Sequence, residues 1–320
     1  MTAPAAHRPS KMVAADEVMP ATAKVRRRPR RQRVAYLFLL PWLLGMVVIT
    51  LGPMIASFYL SLTDYNLIGR QNFVGLENYQ QMFTNDDRFI SSLWVTAQYV
   101  LISVPLQLAF ALGLAVLLNQ GLRGLSFYRS AYYLPSLLGS SVAIAVLWRQ
   151  IFGAEGLFNQ ALGLLGFSNL PNWISTPEWA LGTIMVLNVW TFGAPMLIFL
   201  AGLRQVPVEL HEAAAMDGAG VVSRFFRITL PLLSPVLFFN LVLQMISAFQ
   251  TFTQVYIVSG GTGGPVDSTL FYTLYLYQKA FTEFDMGYAS AMAWILLAIT
   301  GLFTWLAFGT SKYWVHYSGE

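Results

Sequence analysis

The sequence has no cysteine, which excludes disulfides, thiol nucleophiles and thiolate metal sites without fixing a redox compartment. It has little charge: 11% of its 320 residues are Asp, Glu, Lys or Arg, against about 25% in a soluble domain. A chain this poor in charge cannot cover itself with a solvated surface, so lipid is its expected solvent. No Gly-x4-Gly-Lys-Ser/Thr phosphate loop occurs. The Gly260-Gly261-Thr262-Gly263-Gly264 run lacks the lysine and reads as a flexible turn. No Asp, Glu, Lys or His lies deep in an apolar run, which argues against a proton-coupled carrier and a charged substrate. His7, His211 and His316 are scattered over loops and tails, and no Ser/His/Asp set or paired carboxylates lie in the runs. Neither a metal site nor an intramembrane enzyme is expected.

Hydrophobic residues make up 56% of the chain. Apolar runs fall at about 34–60, 93–118, 131–151, 179–203, 232–258 and 287–308. Each is near the roughly 20 residues that cross a bilayer as a helix. The reading is an all-α membrane protein, a six-span transmembrane helical bundle occupying 34–310. Pro41, Pro53, Pro105, Pro135, Pro195 and Pro235 are read as kinks, because neighbouring helices can satisfy the freed backbone groups.

Residues 1–33 form a polar tail ending in a dense arginine cluster, expected to be disordered. The apolar run after it is too long for a signal peptide and reads as a retained anchor. With the N-terminus inside, the cytoplasmic segments hold 15 of the 19 Lys and Arg, leaving Arg70, Arg88, Arg149 and Lys279 outside. This bias predicts both termini cytoplasmic, with 311–320 a short tail. The net charge of +4 is concentrated at the N-terminus, so it suits anionic lipid rather than nucleic acid. Trp42, Trp94, Trp148, Trp179, Trp305 and Trp314, with Tyr132 and Tyr133, lie near span ends, as interfacial anchors do. In the first outer loop, residues 73–79 read as a short interfacial helix with Asn72 as its cap, and Asp86-Asp87 as solvated loop.

The connection at 204–231 is the longest cytoplasmic loop. Pro207 suits a helix start, Glu209 and Glu212 suit its positive end, and Ala213, Ala214 and Ala215 propagate it. Asp217-Gly218 stops it, Gly218 taking a left-handed conformation. A second short helix is expected at 221–229, ended by Pro231. Its Phe225 and Phe226 are aromatic anchors of the kind enriched at interfaces; an interfacial helix lying on headgroups is the bland alternative.

Glu212-Ala213-Ala214, three residues, Gly218, nine residues, then Ile228-Thr229-Leu230-Pro231 resembles the EAA loop of binding-protein-dependent ABC importer permeases. The resemblance is at full spacing, and the six-span layout extends it from about Val34 to Trp314. Tyr36-Leu37-Phe38-Leu39-Leu40-Pro41, Phe73-Val74-Gly75-Leu76-Glu77-Asn78-Tyr79, Asn188-Val189-Trp190 and the Gly263-Gly264-Pro265 loop resemble the sugar-importing, maltose-type branch. The subunit comparable to the larger maltose permease is the nearest pattern, but its large periplasmic insertion is absent here. The resemblance implies a type I ABC importer fold in the bacterial plasma (inner) membrane. It also implies a heterodimer with a second permease, two cytoplasmic ATPase subunits that carry ATP and Mg, and an extracellular solute-binding protein. No cofactor is expected in this chain. Glu212, Ala213, Ala214, Asp217, Gly218, Phe225, Phe226, Ile228, Leu230 and Pro231 are the expected ATPase coupling loop.

A sugar needs amide and hydroxyl partners and aromatic faces near the bilayer midplane. Asn188, Trp190, Thr191 and Phe192 in the fourth run, and Asn240, Gln244, Ser247, Gln250, Thr251 and Gln254 in the fifth, are the expected pathway residues. Asn240, Gln244, Ser247 and Thr251 share one helical face. Interhelical hydrogen bonding is the competing role for the same residues. Another solute such as glycerol phosphate, or secondary transport, is the alternative function.

Overall fold

The computed structural model describes residues 29–67, 69, 71–120 and 124–316. The expected tail at 1–33 therefore lies outside the described residues, except for the start of α1. Among the described residues the regular elements are all helical. Two isolated bridges pair Thr63 with Phe73 and Asn66 with Asp285. The chain divides into two compact units, one ending at Pro53 and one beginning at Met54.

In the first unit, α1 (Pro29–Gly45) passes through a wide turn into α2 (Gly52–Ser61), which enters the second unit. Phe38, Trp42 and Ile49 are exposed. The second unit continues with α3 (Glu77–Thr84), α4 (Asp87–Leu118), α5 (Leu125–Leu138), α6 (Val142–Ile151) and α7 (Leu157–Leu164). Then follow α8 (Pro177–Trp190), α9 (Gly193–Leu203), α10 (Val208–Met216), α11 (Val221–Arg224), α12 (Leu230–Phe249), α13 (Thr253–Val258), α14 (Tyr272–Tyr277) and α15 (Met286–Ser311).

Four helical stretches are long and apolar enough to cross a membrane: Phe38–Ser61, Asp87–Leu118, Val221–Phe249 and Met286–Ser311. Two further pairs qualify only together. Phe127–Leu138 and Val142–Ile151 meet at 96°, and Pro177–Trp190 and Gly193–Leu203 at 43°. The count is six if each bent pair is one span. The runs at 131–151, 179–203 and 232–258 are thus broken rather than continuous helices. Apolar character extends across each break, so hydropathy alone does not reveal it.

The core is organised on α4, which packs against α8, α9 and α12. Tyr99, Val104, Leu108, Met196, Phe199 and Leu200 are buried there. Ser103, Gln107 and Asn240 are buried too, while Leu101, Ile102 and Leu106 face outward. This inside-out pattern suits lipid, which rewards exposed alkyl groups and penalises unpaired polar ones.

Several local expectations change. Asn72 does not cap α3; its backbone N–H and Nδ2 donate to the two Asp64 carboxylate oxygens at 2.6 and 2.9 Å. The helix begins only at Glu77. Asp86 is not loose loop. It caps α4 by accepting the Phe89 N–H at 3.0 Å and also accepts the Tyr275 and Tyr288 hydroxyls. Trp148 is buried, its Nε1 donating to Thr183 O at 3.0 Å. Pro231 does not end the helix begun at Val221. A wide turn over 225–229, closed by the Leu230 N–H to Phe225 O, carries the chain into α12. The missing proline N–H falls where the bonding register has already shifted. After α15, Val315 is buried and the His316 N–H donates to Ser234 Oγ at 2.9 Å.

Candidate functional site

Three helix breaks converge on one polar cavity. They lie at 139–141 between α5 and α6, at 191–192 between α8 and α9, and at 250–252 between α12 and α13. A break removes backbone hydrogen bonds, and lipid offers no replacement, so irregular backbone persists only where side chains or a cavity satisfy it. Here side chains do so. Gln107 Nε2 donates to Thr191 Oγ1 at 2.9 Å and Thr191 O at 3.2 Å. Ser136 Oγ donates to Thr191 O at 2.7 Å and accepts the Ala194 N–H at 2.9 Å. Gln254 Nε2 donates to Gly139 O at 3.3 Å. Thr273 Oγ1 donates to Thr251 O.

The cavity has a volume of about 200 Å3. Asn188, Thr191, Gln244, Ser247, Thr251 and Gln254 line it, together with Tyr99, Ser136 and Ser140. Tyr99 lies near the middle of α4, so the cavity sits midway along the bundle. No charged side chain lines it. Asn188, Thr191 and Gln254 are committed to holding the breaks: Asn188 Nδ2 reaches Ser103 Oγ at 3.2 Å and Gln107 Oε1 at 3.4 Å. Gln244 and Ser247 make no side-chain hydrogen bond among the described residues, which leaves their donors and acceptors open to the cavity. Interhelical hydrogen bonding, one of the two roles weighed, is thus seen for Asn188, Thr191 and Gln254.

Four expected pathway residues lie elsewhere. Trp190 packs its ring on Trp148 at 6.0 Å. Phe192 is buried between Phe110 and Tyr132. Asn240 is fully buried and donates back to Val236 O in its own helix at 3.1 Å. Gln250 is exposed and absent from the lining. Gln250 lies off the face that Asn240, Gln244, Ser247 and Thr251 share, whereas Thr251 and Gln254 reach the cavity. Three hydroxyl-bearing lining residues, Tyr99, Ser136 and Ser140, were missed. Tyr99 does carry a sequence signal: with Ser103 and Gln107 it forms an i, i+4, i+8 polar stripe in the otherwise apolar stretch 99–118 of α4.

At one end of the bundle lies the predicted coupling loop. α10 closes as expected: the Ala219 N–H donates to Ala214 O at 2.9 Å and Gly218 has φ +82°. Glu212, Ala213, Asp217 and Gly218 are exposed and Ala214 is half-buried. Phe226 is exposed, its ring 5.1 Å from that of Phe225. Phe225, Ile228, Leu230 and Pro231 are half-buried. Beside α10 is a groove of about 550 Å3, lined by Val116, Asn119, His211, Val221, Phe225 and Phe226 among others. Arg224 Nη1 donates to His211 O at 3.3 Å, tying the start of the next span to α10. The groove joins α10 to the C-terminal end of α4, while Asp86 and Arg88 mark the opposite end of the same helix.

Residues 32–310 match the family model described as the binding-protein-dependent transport system inner membrane component. A probable ABC transporter permease protein, YesP, of Bacillus subtilis is 51% identical over 298 residues, covering 93% of this chain and 96% of that protein. The trehalose/maltose transport system permease protein MalF of Thermococcus litoralis is 34% identical over 278 residues, covering 86% and 92%. Among solved structures, a bacterial ABC transporter involved in the import of the acidic polysaccharide alginate superposes with a TM-score of 0.75 at 19% identity, covering 88% of this chain and 96% of that one. That likeness concerns the fold. The chain belongs to the family of binding-protein-dependent transport system inner membrane components, as a sugar-type ABC transporter permease.

Proposed function

We propose that this chain forms one half of the membrane path of an ATP-driven importer for a di- or oligosaccharide. The observation that carries the reading is the uncharged, amide- and hydroxyl-lined cavity at three helix breaks, with an exposed helix–Gly–helix loop at one end of the same bundle. Broken helices near the midplane are where transporters place substrate sites. Gln244, Ser247 and Ser140 suit sugar hydroxyls, and Tyr99 offers an aromatic face. At about 200 Å3 the cavity is smaller than a typical small-molecule pocket of roughly 300–1,000 Å3. It widens when the helix halves on either side of the breaks move, and a second permease supplies the facing wall.

In this reading the permease domain spans 34–310, with 1–33 and 311–320 as cytoplasmic tails and the α10 end facing the cytoplasm. Two ATPase subunits carrying ATP and Mg grip Glu212–Pro231. The solute-binding protein delivers sugar at the far end; the solved alginate importer in complex with a pentasaccharide-bound periplasmic protein is the parallel. The ATPase's two states act on the bundle only if they hold this loop differently.

The test is sugar uptake by the reconstituted complex, using the sugar that calorimetry identifies as the binding protein's ligand. Gln244→Ala should raise KM for uptake while the ATPase still co-purifies. Uptake that persists without ATP would replace this reading with secondary transport. Because the chain has no cysteine, single introduced cysteines report sidedness directly: Thr262→Cys should react in intact cells and Ala219→Cys only after lysis.

A further inference from the structure

We infer that the end of the bundle opposite α10 carries a second binding site, at Arg149, for the carboxylate of an acidic sugar unit. Naming the ligand a sugar rests on the permease reading above; the carboxylate does not. α6 and α13 run side by side from the central cavity. Gln254 on α13 bonds Gly139 O, just before α6, at 3.3 Å. At the other ends, a Cβ placed on Gly260 would lie 3.9 Å from Arg149 Nη1. Ser140 and Gln254 therefore open on the central cavity, and Arg149 and Ser259 on a second cavity of about 340 Å3. Arg149 lies seven residues along α6 from its start at Val142, about 10 Å at about 1.5 Å each.

The second cavity is rich in unused donors and holds no carboxylate. Arg149 makes no hydrogen bond or ion pair among the described residues, whereas Arg88 and Lys279 at the same end are paired with Asp267 and Glu283. Asn172 Oδ1 accepts the Ile174 and Ser175 N–H groups, both at 3.3 Å, which leaves the Nδ2 hydrogens for a ligand. Ser259 Oγ is buried without a partner. Thr262 Oγ1, by contrast, is spent, donating to Ser259 O at 3.0 Å and accepting the Gly264 N–H at 3.3 Å. A guanidinium fork, an amide N–H and a hydroxyl with no opposing acid call for a ligand made of acceptors, and the fork matches a planar carboxylate. The volume falls within the roughly 300–1,000 Å3 range of small-molecule pockets, so it can admit one sugar unit. The two cavities differ in charge but share one helix pair. The expectation of an uncharged substrate, drawn from the apolar runs, therefore concerns the central cavity and not this end of the bundle.

The test uses the assembled importer in lipid nanodiscs, without its binding protein. Glucuronic acid and glucose are the probes, compared by saturation-transfer NMR titration. Glucuronate should bind about ten-fold tighter than glucose, the difference one charge-assisted hydrogen-bond pair makes. Arg149→Gln should erase that difference, Arg149→Lys should keep part of it, and Ser259→Ala should weaken glucuronate while leaving the charge in place. Equal affinity for the two sugars, or glucuronate binding unchanged in Arg149→Gln, overturns the proposal. So does an Arg149→Gln variant that binds glucuronate normally but docks its binding protein poorly, since the arginine then meets a protein carboxylate. Arg149-dependent glucuronate binding in a complex that takes up no sugar upholds the site and removes the sugar-uptake reading instead.

Discussion

Arg88 and Asp267, 179 positions apart, meet as a paired ion bridge: Nε to Oδ2 at 2.9 Å and Nη2 to Oδ1 at 3.0 Å. The Arg88 guanidinium also lies 5.2 Å from the centre of the Tyr275 ring. The pair fastens the glycine-rich loop to the first turn of α4. Thr269 Oγ1, donating to Gly263 O at 2.9 Å, and Gln278 Nε2, donating to Gly261 O at 2.8 Å, pin the same loop from within. A segment that reads as a flexible turn is thus held at three points.

Asp267 has φ +54°, a conformation that Asn tolerates well. Asp267→Asn therefore removes the charge without new backbone strain. A half-exposed ion pair is worth at most about 1 kcal/mol, so thermal stability should fall only slightly. Hydrogen exchange over 259–270 should rise severalfold while exchange in α4 stays unchanged.

Asp86 lies at the same end. Burial alone would raise its pKa, but the Tyr288 and Tyr275 hydroxyls, the Phe89 N–H and the Lys279 charge together hold it below the ordinary 3.8. A carboxylate depressed on folding contributes stability that is complete above about pH 4 and is lost as pH falls through its lower folded value. Unfolding of the purified complex should become easier below that range. In Asp86→Asn the acid-dependent part should be reduced, measured by thermal melts at pH 6 and pH 3.

Gly139 touches the α8–α9 break. A Cβ there would sit 2.1 Å from Thr191 Cγ2 and 3.0 Å from Pro135 O. Gly139→Ala should cost about 1–3 kcal/mol by overpacking and lower uptake. Thr191→Ser deletes Cγ2 but keeps the hydroxyl that accepts from Gln107 and donates to Asn188 O at 2.7 Å. The double variant should regain much of the loss, and a double-mutant cycle on melting temperature and uptake measures the coupling.

Gly218 presents the opposite case. Nothing lies within 4 Å of a Cβ at this position, yet its φ is +82°. Gly218→Val should therefore act through backbone strain alone, of about 1–2 kcal/mol or more, by unwinding the end of α10. ATPase co-purification and uptake should both drop, while Gly218→Asn should retain most of each. Unchanged co-purification in Gly218→Val would separate the loop from ATPase docking.

The cavity shows how far sequence reasoning reaches. Gln244 and Ser247 were legible because a polar residue in an apolar span must face inward, and helical spacing puts both on one face. Asn240 satisfies the same rule and fails, because it bonds its own helix. Gln250 is polar but lies off that face and is exposed. Trp190 borders the break at 191–192 and Phe192 lies in it, but both spend their rings on packing. Ser136 and Ser140 carry no signal until the 96° bend at Gly139 turns them toward the cavity.

The sequence by itself determined the solvent, the order of the apolar runs and the form of the α10 helix. Transfer energy, helix propensity and glycine's backbone freedom act over a few residues and are written locally. Only the tertiary structure decided where three apolar runs break, which amides remain unspent, and that Asp86 meets Tyr288 across 202 positions. Those outcomes depend on how an orphaned carbonyl or a buried carboxylate finds its partner, and in lipid that partner comes from another helix.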